Sequence, residues 1–298
     1  MVGASIFMIF FKIHDEVMIL ITKPSEGYTL LDSGDGEKLE QFGEVILRRP
    51  DPQALWSKGL SGAVWQEAHA YFDKQWIGRK KVPDTWNIGI DGKTFKLKLS
   101  AFKHVGLFPE QRENWSWIEK TVSSAGRPIS VLNLFGYTGG ATLAVLKGGG
   151  SVTHVDGSKT AITWAKENAV LSGLADKSVR WILDDALAFA EREVKRGNRY
   201  DAVIMDPPAF GHGPDGEVWK IEKSLPELVA LLPKLLTEKP LFVLLNGYAA
   251  GYSPIAYGNL LSECQRTFGG LVETGEVTLE EKESKRLLPA GIFARFVA

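Results

Sequence analysis

The spacing of apolar positions changes character near residue 100. Before it, short apolar runs alternate with polar residues and end in turn residues, which is the pattern of strands joined by hairpins. "GYTLLDSGDGEKLEQFGEVILRRPDP" predicts hairpins closed at Ser33-Gly34-Asp35-Gly36, and "IGIDGKTFKLKLS" predicts another around the two-residue turn Asp91-Gly92. The stretch between them, "PQALWSKGLSGAVWQEAHAYFDKQW", has room for a short helix or two. From about Phe108 onward the period alternates between strand and helix. "PEQRENWSWIEKTVSS" begins with proline and reads as a helix. Five buried strands follow ("ISVLNLF", "SVTHVD", "VRWILDD", "YDAVIMD", "PLFVLLN"), each trailed by a helical segment. The fourth strand is followed by a loop and then the helix "SLPELVALLPKLL". Two last strands, "GLVETGEVTL" and "GIFARFVA", have no helix between them and predict an antiparallel hairpin at one edge.

This order predicts an α/β fold with a doubly wound, seven-stranded, mostly parallel sheet. A β-rich accessory domain over residues 1–103 would precede a Rossmann-like domain over residues 104–298. In such sheets ligands lie beyond the carboxyl ends of the strands, so the chemistry is sought there.

Composition narrows the function. The 298 residues are 44% hydrophobic and carry a formal net charge of −1, so attraction to nucleic acid has to be local. The single cysteine, Cys264, excludes an intramolecular disulfide and a multi-cysteine zinc site, and a reducing, cytoplasmic setting is expected. Five scattered histidines without HxxxH spacing predict no metal. The apolar start is broken by Lys12 and by His14-Asp15-Glu16, too soon to span a bilayer, and it lacks the plan of a signal peptide.

The strand ends carry the candidate residues. After the first strand, "NLFGYTGG" supplies Gly136, Gly139 and Gly140, which permit a tight turn and close approach of a ligand to backbone N–H groups. Neither G-x-G-x-x-G nor a P-loop is present. The second strand ends in Asp156, an acceptor for the two hydroxyls of a ribose or a helix cap; Ser158 is an alternative cap. The third ends in Asp184-Asp185, suited to an adenine amino group or again to capping. The fourth ends in Asp206-Pro207-Pro208, and two residues without free φ cannot continue a ladder.

Taken in order, "LNLFGYTGG", Asp156, "DDA" at 184–186, "DPPAF" at 206–210, the upstream "FKHVGLFPEQRENW" at 102–115 and the closing "LLPAGIFARF" resemble class I S-adenosylmethionine-dependent methyltransferases. They are most similar to the branch that contains bacterial large-subunit ribosomal RNA methyltransferases. The resemblance covers residues 100–298 and does not extend to a PUA domain before them. It implies S-adenosylmethionine held by Gln111, Asn133, Phe135, Gly136, Tyr137, Thr138, Gly139, Asp156, Gly157, Ser158, Asp184, Asp185, Ala186 and Asp206. Gly136 and its neighbours would face the methionine part, Asp156 the ribose and Asp185 the adenine edge. Asp206, Pro207, Pro208 and Phe210 would be catalytic: the carboxylate and a nearby carbonyl accept from an amino group, and Phe210 stacks on a base taken out of its helix.

Relatives that methylate the cytosine ring carbon need a cysteine after the fifth strand. Here that place reads "LLNGYAAGY", with Asn246-Gly247-Tyr248 and no thiol, which favours a nitrogen acceptor. Cys264 falls inside the next helix, where an inert buried residue is expected. Residues 79–103 hold Arg79, Lys80, Lys81, Lys93, Lys96, Lys98 and Lys103 against Asp84 and Asp91, and six of nine tryptophans lie between Trp56 and Trp117. Basic charge with interleaved aromatics suits RNA; a solvated strand face over aromatic core packing is the other reading. His104 and His212 flank the expected pocket without an assigned role. The expected function is RNA base-nitrogen methylation, ribosomal RNA first. A protein-amide or small-molecule methyltransferase is the alternative, and a non-catalytic nucleotide- or RNA-binding module a third.

Overall fold

Two turns with left-handed backbone organise the N-terminal third. In a computed structural model, which describes residues 17–101, 103–248 and 251–298, Asp35 (φ 51°) and Gly36 (φ 76°) close one hairpin, and Asp91 (φ 47°) and Gly92 (φ 70°) another. The expectations for residues 1–16, for Phe102 and for Ala249 and Ala250 lie outside the described residues. In chain order this third contains β1 (Met18–Thr22), β2 (Tyr28–Gly34), β3 (Glu37–Phe42), β4 (Val45–Pro50), α1 (Gly62–Gln66), β5 (Ala70–Asp73), β6 (Gln75–Gly78), β7 (Trp86–Ile90) and β8 (Lys93–Leu97). Strands β2 to β6 form one five-stranded sheet in sequence order, and β7–β8 stand as a separate hairpin. The single helix expected or doubled between the hairpins is only five residues long, and the tail of that stretch forms the β5–β6 hairpin instead.

The remainder alternates as predicted. A 3₁₀ turn (Pro109–Gln111) leads into α2 (Arg112–Ser123), followed by β9 (Ser130–Leu134), α3 (Gly140–Lys147), β10 (Ser151–Asp156), α4 (Lys159–Leu171), β11 (Val179–Leu183), α5 (Ala186–Arg196) and β12 (Ala202–Met205). Then come β13 (Phe210–His212), β14 (Val218–Lys220), α6 (Ile221–Val229), α7 (Leu232–Leu235), β15 (Phe242–Gly247), α8 (Pro254–Phe268), β16 (Leu271–Glu280) and β17 (Leu287–Val297). The main sheet runs β1-β16-β17-β15-β12-β9-β10-β11, with β17 antiparallel to both of its neighbours. Its order reverses between β9 and β12, which are adjacent and parallel, so the crevice lies above their carboxyl ends.

The sheet has eight strands rather than the seven expected. The extra one, β1, comes from the apolar start assigned to the N-terminal domain, and it pairs in parallel with β16. Without it β16 would present an unpaired edge, which folded proteins commonly cover. Thr278 Oγ1 donates to the Leu20 carbonyl at 3.0 Å and pins the addition. A second difference concerns "SLPELVALLPKLL", which forms two helices: Pro233 sits in the first turn of α7, where its missing N–H is tolerated, and so starts a new helix. A third concerns the loop after Pro208, which contains the β13–β14 hairpin.

One apolar core joins Tyr28, Leu30, Phe42 and Leu47 of the N-terminal sheet to Phe95, Ile118, Val131, Leu143 and Leu244 on one face of the main sheet. The opposite face packs Leu132, Val203, Met205, Leu245 and Phe296 against α5 to α8. The N-terminal tryptophans enter this packing: Trp65 and Trp115 are buried, and Trp56, Trp76, Trp86 and Trp117 lie against the first core. The basic stretch is also largely engaged. Lys93 is 1% exposed and pairs with Glu119 at 3.0 Å, Lys96 pairs with Glu167 at 3.3 Å, and the Lys98 ammonium lies 4.5 Å from the Trp164 ring centre.

Candidate active site

The loop after β9 is the most constrained backbone in the crevice. Phe135 (φ 58°) and Tyr137 (φ 46°) both hold left-handed conformations that non-glycine residues rarely adopt, and such outliers concentrate at functional sites. Gly136 between them has no room for a side chain: a Cβ would stand 2.4 Å from His154 Cε1. His154 is itself fixed beneath the loop, its Nδ1 2.9 Å from Thr142 Oγ1, which also accepts from Asn133 Nδ2 at 2.9 Å. Burial holds the imidazole down to about 3, so it is neutral. Gly139 (φ 91°) starts α3, where exposed N–H groups point outward.

Asp156 closes β10 beside this loop. Its Oδ2 accepts from the Tyr137 N–H and its Oδ1 from the Ser158 N–H, both at 2.8 Å. Each oxygen retains capacity for a further donor. Burial raises the Asp156 carboxyl, and the two N–H groups oppose that rise. The capping question is settled locally, because Ser158 Oγ caps α4 by accepting from the Ala161 N–H at 3.2 Å. Past β11 the roles divide. Asp185 Oδ1 caps α5 through the Ala188 N–H at 2.9 Å, and Asp184 pairs with Arg192. Ala186, the first residue of α5, is buried.

Asp206 stands one residue beyond β12 and is half-buried, while Pro207 is buried and Pro208 exposed. Among the described residues only burial and the Glu110 charge act on its carboxylate, with no hydrogen-bond donor beside them. Burial first, then the charge of Glu110, push its carboxyl up to about 7. The Pro208 carbonyl is occupied by Trp219 Nε1 at 2.7 Å, leaving Pro207 as the proline whose carbonyl could serve a ligand. Phe210 opens the β13–β14 hairpin, 56% exposed, with its ring edge-on to His212 at 5.1 Å. That hairpin leans back over the first loop: Trp219 packs on Phe135 at 4.7 Å, and the His212 carbonyl lies 3.3 Å from where a Cβ on Gly157 would be.

Three expected site residues are engaged in the scaffold. Asn133 is 2% exposed and donates to Thr142. Thr138 is 4% exposed and donates to the Gly106 carbonyl at 2.8 Å. Gln111, 8% exposed, accepts from Asn114 Nδ2 at 2.9 Å; the same nitrogen donates to Asn246 Oδ1 at 3.0 Å. Among the described residues, Asn114 Oδ1 is buried without a partner.

A polar recess absent from the expectations above is lined by Lys38, Arg49, Lys103, His104, Glu110 and Tyr248 among others, and its Glu110 acts on the Asp206 carboxyl. A signal for it existed. In β4 the inward phase runs Val45, Leu47, Arg49, and an arginine on the buried phase of an alternating strand calls for a partner. The partner is Glu40, which accepts from Arg49 Nε at 2.7 Å and Nη2 at 2.8 Å.

The sequence profile of S-adenosylmethionine-dependent methyltransferases matches residues 62–252. The crystal structure of an S-adenosylmethionine-dependent methyltransferase from Agrobacterium tumefaciens is 40% identical, with a TM-score of 0.90 over 94% of this chain and 93% of that one. The chain belongs to this methyltransferase family. Large-subunit ribosomal RNA methyltransferase K/L of Shewanella frigidimarina is 35% identical over 148 residues, and that of Shewanella amazonensis 36% over 147. Each match covers 49% of this chain and 20% of the relative, so the chain spans about a fifth of those proteins' length. A Streptococcus mutans structure at 16% identity, with a TM-score of 0.67 over 92% of this chain and 76% of that one, shares the fold. As a member of the family, the enzyme uses S-adenosylmethionine as its cofactor. The donor set fits it: acceptor-only carboxylates at Asp156 and Asp206 suit hydroxyl donors and a cationic sulfonium. Among the described residues no helix is long and apolar enough to cross a membrane, and no acid, histidine and cysteine cluster could hold a metal.

Proposed function

We propose that this methyltransferase modifies a base nitrogen of RNA, ribosomal RNA first among candidates. The observation that carries the reading is the Asp206 carboxylate, set on a proline-stiffened turn with no donor of its own among the described residues. An exocyclic amino group would donate one hydrogen to Asp206 and one to the Pro207 carbonyl, which turns its lone pair toward the methyl. Bound S-adenosylmethionine supplies a methyl on a sulfonium, already a strong electrophile. The protein's share is therefore to hold the nitrogen in line and keep water out. Phe210, exposed on its hairpin, offers a face for a flipped base. Asp156 would bind the ribose, the loop 135–139 with Gly157 the methionine and sugar, and Asp185 with its free oxygen the adenine edge.

Ring-carbon methylation lacks its nucleophile. The end of β15 and the residue after it read Asn246-Gly247-Tyr248 where a thiol would be needed, and Cys264 is fully buried in α8 with its thiol pushed up to about 12. The names of the Shewanella relatives support an RNA acceptor. The test incubates the enzyme and tritiated S-adenosylmethionine with ribosomal subunits, total RNA and protein extract from a strain deleted for it. Label in RNA is expected, as an N-methylated nucleoside by mass spectrometry. Label confined to protein or to small molecules would overturn the reading.

A further inference from the structure

The N-terminal sheet and the connection before α2 bring three cations to one recess. Lys38 and Arg49 are 7% and 5% exposed and are neutralised from within: Glu40 holds Arg49, and Asp51 lies 3.2 Å from the Lys38 ammonium. Lys103 has no such acid among the described residues. Its ammonium reaches only the Pro50 carbonyl and the Tyr248 hydroxyl, both at 3.4 Å, and lies 5.5 Å from the Tyr248 ring centre. Arg49 turns its remaining Nη1 to the Lys103 carbonyl at 3.1 Å, so the lysine is anchored at its backbone while its charge stays uncommitted. Burial and the neighbouring Lys38 and Arg49 lower the Lys103 ammonium, and burial with Arg49 and Lys103 holds His104 down to about 4. Burial raises the Glu110 carboxyl, and the charges of Lys38 and Arg49 oppose that rise. Of the three cations, Lys103 is the one with no carboxylate within ion-pair distance among the described residues, so its ammonium is the group left to meet an anion.

We propose that this recess is a phosphate-binding subsite for the acceptor, with Lys103 as its principal ligand and Tyr248 and His104 as neighbours at its rim. The recess itself has room for about one water, so the phosphate would sit in its mouth, against Lys103, rather than inside. Tyr248 follows β15, the strand next to β12, and Glu110 acts on Asp206 as well as lining the recess. A phosphate held there would belong to the same nucleotide that offers its base to Asp206. The subsite rests on the nucleic-acid reading above but has its own readout.

The probes are the four nucleoside 5′-monophosphates and their nucleosides, titrated into the enzyme saturated with S-adenosylhomocysteine. At least one monophosphate is expected to bind about tenfold tighter than its nucleoside. In Lys103→Met that preference should vanish, in Lys103→Arg it should persist, and S-adenosylhomocysteine affinity should stay unchanged in both. Equal binding of monophosphate and nucleoside to the wild type, or no binding of either, would overturn the subsite. So would a loss of S-adenosylhomocysteine affinity in Lys103→Met, which would give the recess to the cofactor's carboxylate. A phosphate preference in an enzyme that labels no RNA would leave the subsite standing and remove the RNA reading.

Discussion

The two halves of the crevice are built in opposite ways. The half above β9, β10 and β11 is local: its candidate residues lie at or just past the ends of their own strands, and the Tyr137 N–H, donating to Asp156, connects two neighbouring strand ends. The half around Asp206 is assembled from distant chain. Lys38 and Arg49 come from the first sheet, Lys103 from the connection, Glu110 from the turn before α2, and Tyr248 from beyond β15. Under the function proposed above, local construction suits the half that would hold the cofactor, and long-range construction lets a second sheet shape the half that would hold the acceptor.

The comparison breaks most visibly at Asp206. Asp206→Ala should lower methyl transfer by about a thousandfold while leaving cofactor affinity within about threefold, read by radiolabel transfer and by calorimetry. Asp156→Ala should do the reverse, weakening cofactor binding by about thirtyfold through the loss of charged hydrogen bonds. Gly136→Ala attacks the scaffold that both halves share. Its Cβ would meet the His154 ring at 2.4 Å, and denaturant unfolding should show a loss of about 2 kcal/mol along with weaker cofactor binding.

The smallest effect is in pH. The Asp206 carboxyl, raised to about 7 from 3.8, must be ionised to accept from an amino group, so kcat/KM should climb through pH 7, falling about tenfold per unit below it. Glu110→Gln removes the second cause of that rise and should move the limb to lower pH. For stability the sign is opposite. The fold favours the protonated acid, so Asp206 costs stability progressively as pH rises from 3.8 to 7, and Asp206→Asn should flatten that slope.

Legibility in the sequence follows the same division. The order of strands and helices after residue 108 could be read because apolar period and turn residues are local signals, and so could "NLFGYTGG", Asp156 and the DPP turn. Strand β1 carries no such signal, because a five-residue strand does not say which edge it joins; that edge, β16, is more than 250 residues away. The tryptophans between Trp56 and Trp117 and the basic residues of 79–103 admit two readings, an RNA-facing surface or a strand face over aromatic core packing, and Trp65, Trp115 and Lys93 are interior. Composition cannot tell an aromatic core from an aromatic platform; the alternation of buried and exposed positions can. The recess around Lys103 was invisible for a related reason. Its charges become a site only when β3 and β4 are laid against the connection before α2. The lone hint was Arg49 on the wrong phase of its strand.

The separation of the two halves is tested most directly by following methyl transfer against cofactor concentration for Asp156→Ala and Asp206→Ala, using as acceptor whichever fraction takes the label. The Asp156 variant should recover most of the wild-type rate once cofactor saturates, and the Asp206 variant should stay flat at every concentration. Recovery by the Asp206 variant, or none by the Asp156 variant at demonstrated saturation, would contradict the division of labour described here.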